Sequence, residues 1–213
     1  MHTSKPVRFV LASASPARRK TLEAAGINPE VLVSGIDESG VPATDPERLC
    51  LTLAQQKADA VAEQLRAEAA SGTDLLVLGC DSVLAFDGQI LGKPADADEA
   101  RARWRHMRGR AGVLHTGHSL IDVTRGIRAD EAASTVVHFA DLSDAEIEAY
   151  VATGEPLRVA GAFTIDGLGG PFVERIDGDP GTVVGLSLPT LRRLLAKLDR
   201  QITDLWSLPP ATD

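Results

Sequence analysis

Apolar residues fall along the chain in runs short enough for strands and in stripes spaced for helices. Val7–Ala12 reads as a buried strand. Pro16 opens a helix, since its missing N–H has no partner in a first turn anyway; Leu22 and Ala25 give the apolar side and Gly26 the C-terminal cap. Glu30–Val33 reads as a second strand, running into an acidic turn that holds Asp37 and Glu38. Asp45-Pro46 starts a helix reaching about Ala70, with Leu49, Leu53, Ala60, Val61 and Leu65 as its stripe and Lys57 close to it. Asp74–Cys80 has the length and continuous apolar character of a central strand, which Asp81 ends. Ser82–Phe86 and Gln89–Leu91 flank Asp87-Gly88 as a hairpin.

The second half continues the pattern. Asp96–Met107 is predicted helical, followed by two long strands, Val113–Val123 and Ile127–Phe139. Ser143, with Glu146 at the capping-box position, starts a helix ending near Gly154. Then come a glycine-rich segment, a short strand at Val173–Ile176, a turn at 177–181 and a last helix, Ser187–Arg200. The tail from 203 to 213 is expected to fray. Hairpins interrupt a strict βαβ rhythm, so the fold class is α/β with a mixed, twisted sheet and flanking helices. No linker or repeat divides residues 1–213, so one domain is expected, and two lobes would have to interleave along the chain.

Composition narrows the function. Of 213 residues 44% are apolar, enough for a core, but only 4% are aromatic, so Ala, Val, Leu and Ile must fill it. A net charge of −8 argues against gripping a nucleic acid polymer. A basic cluster within an acidic chain points instead to a small anion. Cys50 and Cys80 form no paired motif and read as reduced thiols. There is no signal-peptide core and no run near the ~20 apolar residues of a membrane helix. A cytoplasmic protein without membrane association is expected.

Candidate chemistry lies at strand ends and helix starts. Asp81 either begins a turn or stands where α/β sheets place their ligands, at the end of an apolar strand. Lys93 follows the hairpin in Leu-Gly-Lys-Pro, where Gly92 allows close backbone approach; it is either a solvated turn lysine or a phosphate ligand. Lys57 and Glu38 are each either solvated or part of the same site. Ser13, Ser15 and Arg18 surround a helix N-terminus, whose unpaired N–H groups favour anions, although the segment lacks a Walker pattern and also suits a plain serine-capped helix. Taken together, two carboxylates, two lysines, an arginine and two serines suit nucleotide phosphate chemistry with a hard divalent cation. His115 and His118 would face opposite sides of a strand, so they do not share a metal. Asp177-Gly178-Asp179-Pro180 lacks the distal glutamate of a calcium loop and reads as a turn.

These motifs, in this order, resemble the Maf-type nucleoside triphosphate pyrophosphatases. The likeness runs through LASASPARRKTLEAAGI, the IDES turn, AQQKA, VLGCDSVLAFDGQILGKP, TGHS, LSDAEIEAYVATGEPLRVAGAFTIDGLGG and ERIDGDPGTVVGLSLPTL. It implies two lobes around a central cleft, in a fold like that of inosine triphosphatases. It implies hydrolysis of a nucleoside triphosphate between the α and β phosphates, giving a monophosphate and pyrophosphate, with Mg²⁺ or Mn²⁺. A house-cleaning role on non-canonical nucleotides and a homodimer are further implications. The competing reading is a nucleotide-binding regulator of cell division with little turnover. By matching motif, Asp81 is the catalytic carboxylate, as base or metal ligand, and Glu38 assists with metal or water. Ser13, Ser15, Arg18, Lys57 and Lys93 bind phosphates, which leaves Arg19 and Lys20 as surface charge. The chain departs from the pyrimidine-type members, which have arginine, threonine and glutamine where it has Ala17, Ser82 and Asp166. It departs equally from a subgroup acting on a methylated guanine nucleotide, with tryptophan, glutamine and glutamate there. These three positions are assigned to base specificity, and Asp166 can accept from ring N–H and amino donors.

Overall fold

A computed structural model describes residues 7–38, 40–41 and 44–207. Its centre is a mixed seven-stranded sheet. The strands are β1 (Arg8–Leu11), β2 (Glu30–Val31), β3 (Leu75–Phe86), β4 (Gln89–Leu91), β5 (Ala111–Asp122), β6 (Ile127–Phe139) and β7 (Val173–Asp177). They lie in the order β2-β1-β3-β5-β6-β7, with β4 paired to β3. The pairings of β1 with β2 and with β3 are parallel, and the rest of the ladder is antiparallel. The α/β class and mixed sheet expected from the interrupted rhythm are both present.

The helices are α1 (Pro16–Ala24), α2 (Pro46–Ala70), α3 (Ala97–Met107), α4 (Asp144–Ala152), α5 (Pro180–Val184) and α6 (Leu188–Lys197). Asp45 caps α2 by accepting from the Arg48 N–H, and Ser143 and Glu146 form the reciprocal capping box of α4. The Asp87-Gly88 turn between β3 and β4 has positive φ at both residues, 50° and 76°, which this pair tolerates well.

Three expectations are corrected. Asp81 does not end a strand: β3 runs unbroken for 12 residues through it. The 177–181 segment is more than a turn, because Asp179 accepts from the Gly181 N–H and caps α5. The tail is tied down through Ser207: Ile202–Leu205 form a 3-10 turn, Trp206 bridges to Ile27, and the Ser207 N–H donates to the Gly26 carbonyl at 2.8 Å. Residues 208–213 of that expected tail lie outside the described residues.

One buried cluster, including Leu11, Leu22, Leu78, Leu120 and Leu194, joins β1, β3 and β5 to α1 and α6. Another surrounds Trp104 and joins the far halves of β3, β5 and β6 to α3 and α4. Among the described residues no helix is long and apolar enough to cross a membrane.

Under α6, His118 is fully buried and accepts a hydrogen bond from the Ser187 N–H at 2.9 Å through Nε2. Its ring proton therefore sits on Nδ1. Burial, aided by the Arg18 charge, pushes its pKa down to about 4. The unfolded chain binds this proton near pH 6.5 and the folded chain refuses it until about 4, so stability is full above that window and declines as pH falls through it. The loss should reach about 3 kcal/mol by pH 4 from this group alone. Urea melts at pH 7.5 and 4.5 check this. In His118→Asn that part of the pH slope should vanish, and an unchanged slope would rule the assignment out.

Candidate active site

The site grows from a gap in one edge of β3. Along that edge β1 pairs with residues 75–78 and β4 pairs with residues 84–86. Residues 79–83 between them have no strand partner there, although β5 covers the opposite edge from Leu76 to Ala85. Asp81 thus lies where its parallel neighbour has ended, the kind of position at which α/β sheets open a crevice. A cleft of about 1030 Å³ lies over this gap, and Ser13, Ser15, Ala17, Arg18, Glu38, Lys57, Asp81, Ser82, Lys93 and Asp166, every candidate drawn from the sequence, line it.

Asp81 reaches Lys57 because α2 lies almost directly on the sheet. A Cβ at Gly79 would stand 2.2 Å from the Ala54 carbonyl oxygen, and one at Gly117 would stand 2.3 Å from that of Cys50. Gly79 and Asp81 share a face of β3 by strand alternation, and Gly117 is the cross-strand partner of Asp81. Two glycines therefore set the depth of α2. One turn on, Lys57 Nζ donates to Asp81 Oδ1 at 2.6 Å and meets Glu38 Oε1 at 2.7 Å. The Lys57 and Asp81 side chains are 11% and 12% exposed, whereas Glu38 is 52% exposed. Glu38 follows β2 in irregular chain and covers the pair from the solvent side.

Arg18 is not a free phosphate fork. It is buried, donating from Nη1 to Ser13 Oγ at 2.9 Å and to the Cys80 carbonyl at 2.7 Å. Nη2 donates to Ser82 Oγ at 3.1 Å and Nε to the Gly185 carbonyl at 2.8 Å. Four of its bonds are thus internal, and the one to Cys80 replaces a missing strand partner at the gap. Gly185, at φ 108°, leaves just enough room for this: a Cβ there would lie 3.1 Å from Arg18 Nε. Ser13 Oγ accepts from Arg18 and from the Ser15 N–H at 3.3 Å, and Ser15 caps α1 by accepting from the Arg18 N–H at 3.4 Å, so among the described residues neither hydroxyl proton has an acceptor and both can donate into the cleft.

The same network fixes the polarity of Ser82. Thr116 Oγ1 donates its one proton to the Thr182 carbonyl at 2.8 Å. The 2.8 Å contact between Ser82 Oγ and Thr116 Oγ1 must then use the Ser82 proton. Towards Arg18 and the cleft Ser82 has only lone pairs, so it can accept from a ligand but not donate to one.

Lys93 stands on an anchored loop. The Gly92 carbonyl accepts from the Gly161 N–H at 3.1 Å and from Arg103 Nη1 at 2.6 Å. The expected close approach at Gly92 is absent, since a Cβ there would meet open space. Two cations missed as site candidates also line the cleft: Lys20, expected to be surface charge, and Arg158, unremarked. Among the described residues, the Lys20, Lys93 and Arg158 side chains have no hydrogen-bond or ion-pair partner. Nothing in the local sequence marks Lys20 or Arg158; the fold alone brings them to the cleft.

Cys50 and Cys80 take no part as nucleophiles, because burial pushes both thiols up to about 12. No group of three or more metal-binding side chains occurs among the described residues. Two hard carboxylates, Asp81 and Glu38, remain. They suit a divalent cation of the Mg²⁺ type, which takes one or two carboxylates and completes its shell with water and substrate phosphates.

A family model described as "Maf-like protein" matches residues 8–198. The chain is 68% identical over 212 residues to a protein of Salinispora tropica named nucleoside triphosphate pyrophosphatase, covering all of this chain and 93% of that one. A protein of the same name from Streptomyces coelicolor is 58% identical over 206 residues, covering 97% of each. One from Trichormus variabilis is 52% identical over 202 residues, covering 95% of this chain and 99% of the other.

Proposed function

We propose that this chain, which belongs to the Maf-like protein family, is a nucleoside triphosphate pyrophosphatase: it cleaves the α–β phosphoanhydride and releases a nucleoside monophosphate and pyrophosphate. The observation that carries the reading is the buried Lys57 ammonium between Asp81 and Glu38 at the floor of a cleft lined by unpartnered cations. The names of the relatives support it over a binding-only regulator of cell division. A single domain of two lobes around this cleft fits the same reading, and a homodimer of such domains is part of the proposal.

The triphosphate enters with its charge towards Lys93, Lys20 and Arg158, which can turn to it at no cost in broken ion pairs. Lys57 holds Asp81 Oδ1. Oδ2 is left to take the proton of the attacking water as the phosphorus–oxygen bond forms and the bridging oxygen departs with pyrophosphate. The cations neutralise the charge that gathers on the leaving group. Arg18 acts one step back by closing the edge of β3, while Ser13 and Ser15 shape the first turn of α1 and offer their hydroxyl protons to the phosphates that lie against it. Asp81 and Glu38 would hold the divalent cation, which supplies Lewis-acid activation and a lower water pKa when bound.

Product analysis is the test. With Mg²⁺, the chain should convert nucleoside triphosphates to monophosphate and pyrophosphate. Excess chelator should abolish turnover, and returning the metal should restore it. Release of inorganic phosphate would make it a phosphatase, and tight binding without products would make it a regulator; either result sinks the proposal.

A further inference from the structure

Glu155 has more to do than an exposed helical-turn carboxylate. It begins a 3-10 turn, Glu155–Arg158, after α4. Its carboxylate collects four donors from one loop and its support. Thr164 Oγ1 donates to Oε1 at 2.5 Å, Tyr150 Oη at 3.1 Å and the Gly169 N–H at 3.0 Å, while the Leu168 N–H donates to Oε2 at 3.0 Å. The loop is pressed so close that a Cβ at Gly167 would stand 2.6 Å from Oε2. Partial burial works against its ionisation, yet the hydrogen bonds from Thr164, Leu168, Gly169 and Tyr150 prevail and hold it below the usual carboxylate range.

What this carboxylate pins is a presentation. Within the clamped segment the Asp166 and Leu168 side chains are exposed, Leu168 with 59% of its surface, and both line the cleft. An acidic group beside an apolar one is a poor wall for phosphates, which Asp166 would repel. It is a good wall for a nucleobase: Leu168 offers a surface for the ring, and Asp166 offers acceptors for edge N–H groups. Ser82, locked as an acceptor, adds to the same polarity.

We infer that Glu155 is the positioning residue of the nucleobase wall: by clamping residues 164–169 it sets how the base is read, without touching the phosphates. This rests on the cleft being a nucleotide site. The wall, built of acceptors, favours bases whose edge carries ring N–H and amino donors together, as guanine does, over those pairing an amino donor with a ring acceptor.

The test is equilibrium binding, independent of turnover. Calorimetry would compare α,β-methylene analogues of GTP, ATP, UTP and CTP with inorganic triphosphate, on the parent, Glu155→Gln and Glu155→Ala. In the parent the guanine analogue should bind best. In both variants its affinity should fall roughly tenfold, about what loss of a charge-assisted bond commands, and the spread between bases should shrink. Inorganic triphosphate, which meets only the phosphate end, should stay within about twofold. Thr164→Val, which removes one donor and leaves the carboxylate, should move the nucleotides in the same direction by less, and serves if Glu155→Ala does not fold. Equal weakening of triphosphate and nucleotides would reduce Glu155 to general support and overturn the inference. So would unchanged nucleotide affinities, or a parent blind to the base. A parent that binds selectively but releases no pyrophosphate would instead refute the enzymatic reading.

Discussion

Asp81→Asn should fold like the parent and lose pyrophosphate release by roughly 10²–10⁴-fold, the range expected when a positioned general base is removed. The substitution keeps shape and volume. The amide oxygen can still accept from Lys57 Nζ, and Glu38 still balances that ammonium from the solvent side at 2.7 Å. What disappears is the carboxylate's capacity to take a proton or hold a cation beside the reacting phosphate. A charge in this position is costly to strand, and its partner more so: removing one member of a buried pair commonly costs 3–5 kcal/mol. Lys57→Met would therefore mix instability with lost activity, whereas Asp81→Asn separates them. Initial rates of pyrophosphate release, with a urea melt on the same preparation, decide the matter. A parent-like rate in a folded variant would remove Asp81 from the mechanism.

Gly79→Ala should be among the most damaging single methyl additions in the chain, and Gly117→Ala close behind. Each new Cβ would overlap a backbone carbonyl of α2, at 2.2 Å and 2.3 Å respectively. A side chain could rotate aside, but a helix carbonyl cannot, so the whole of α2 would have to lift from the sheet. Overpacking ordinarily costs about 1–3 kcal/mol, and a backbone obstacle belongs at or above the upper end. Lifting α2 also carries Lys57 away from Asp81, and a displacement of about 1 Å at a reacting centre can cost on the order of 10²-fold in rate. Denaturant midpoints should therefore fall sharply in both variants, with activity falling further than the folded fraction. Gly92→Ala, whose Cβ would meet open space, is the stability control. Midpoints equal to the parent's at Gly79 and Gly117 would mean that α2 does not rest on the sheet as described.

The same packing shows which parts of the molecule were legible in the sequence. α2 begins at Pro46 and ends at Ala70 as its cap and stripe indicated, because both signals are local. The capping box at Ser143 and the Asp87-Gly88 turn were legible for the same reason. Asp81 lies in the cleft with the other candidates, but inside a strand rather than at its end. A polar Asp-Ser pair after an apolar run looks like a boundary, and only the ending of β1 after Leu11 explains why a strand can afford it there. Asp179-Pro180 carried the same helix-start signal as Asp45-Pro46 and could have been read that way. Arg18 differs from the exposed Arg19 in the sequence only through the family resemblance, and its internal role is not legible there, because three of its acceptors lie 62, 64 and 167 residues away. Glu155, Lys20 and Arg158 were hidden by the same non-locality.

Those distances also bear on the order in which the molecule can be completed. The open edge of β3 is sealed by a guanidinium from the first helix, and that guanidinium is held in turn by the carbonyl of Gly185. During synthesis the first 150 residues can pair β1, β3, β5 and β6 while the seal still lacks its last anchor. Until Gly185 has been made, one edge of β3 at residues 79–83 has neither a strand partner nor a fully anchored seal, and such an edge is a template for pairing with another chain. The opening of the cleft and the pairing hazard of the growing chain are the same five residues, and the Gly185 anchor on Arg18 is the last part of their cover to arrive.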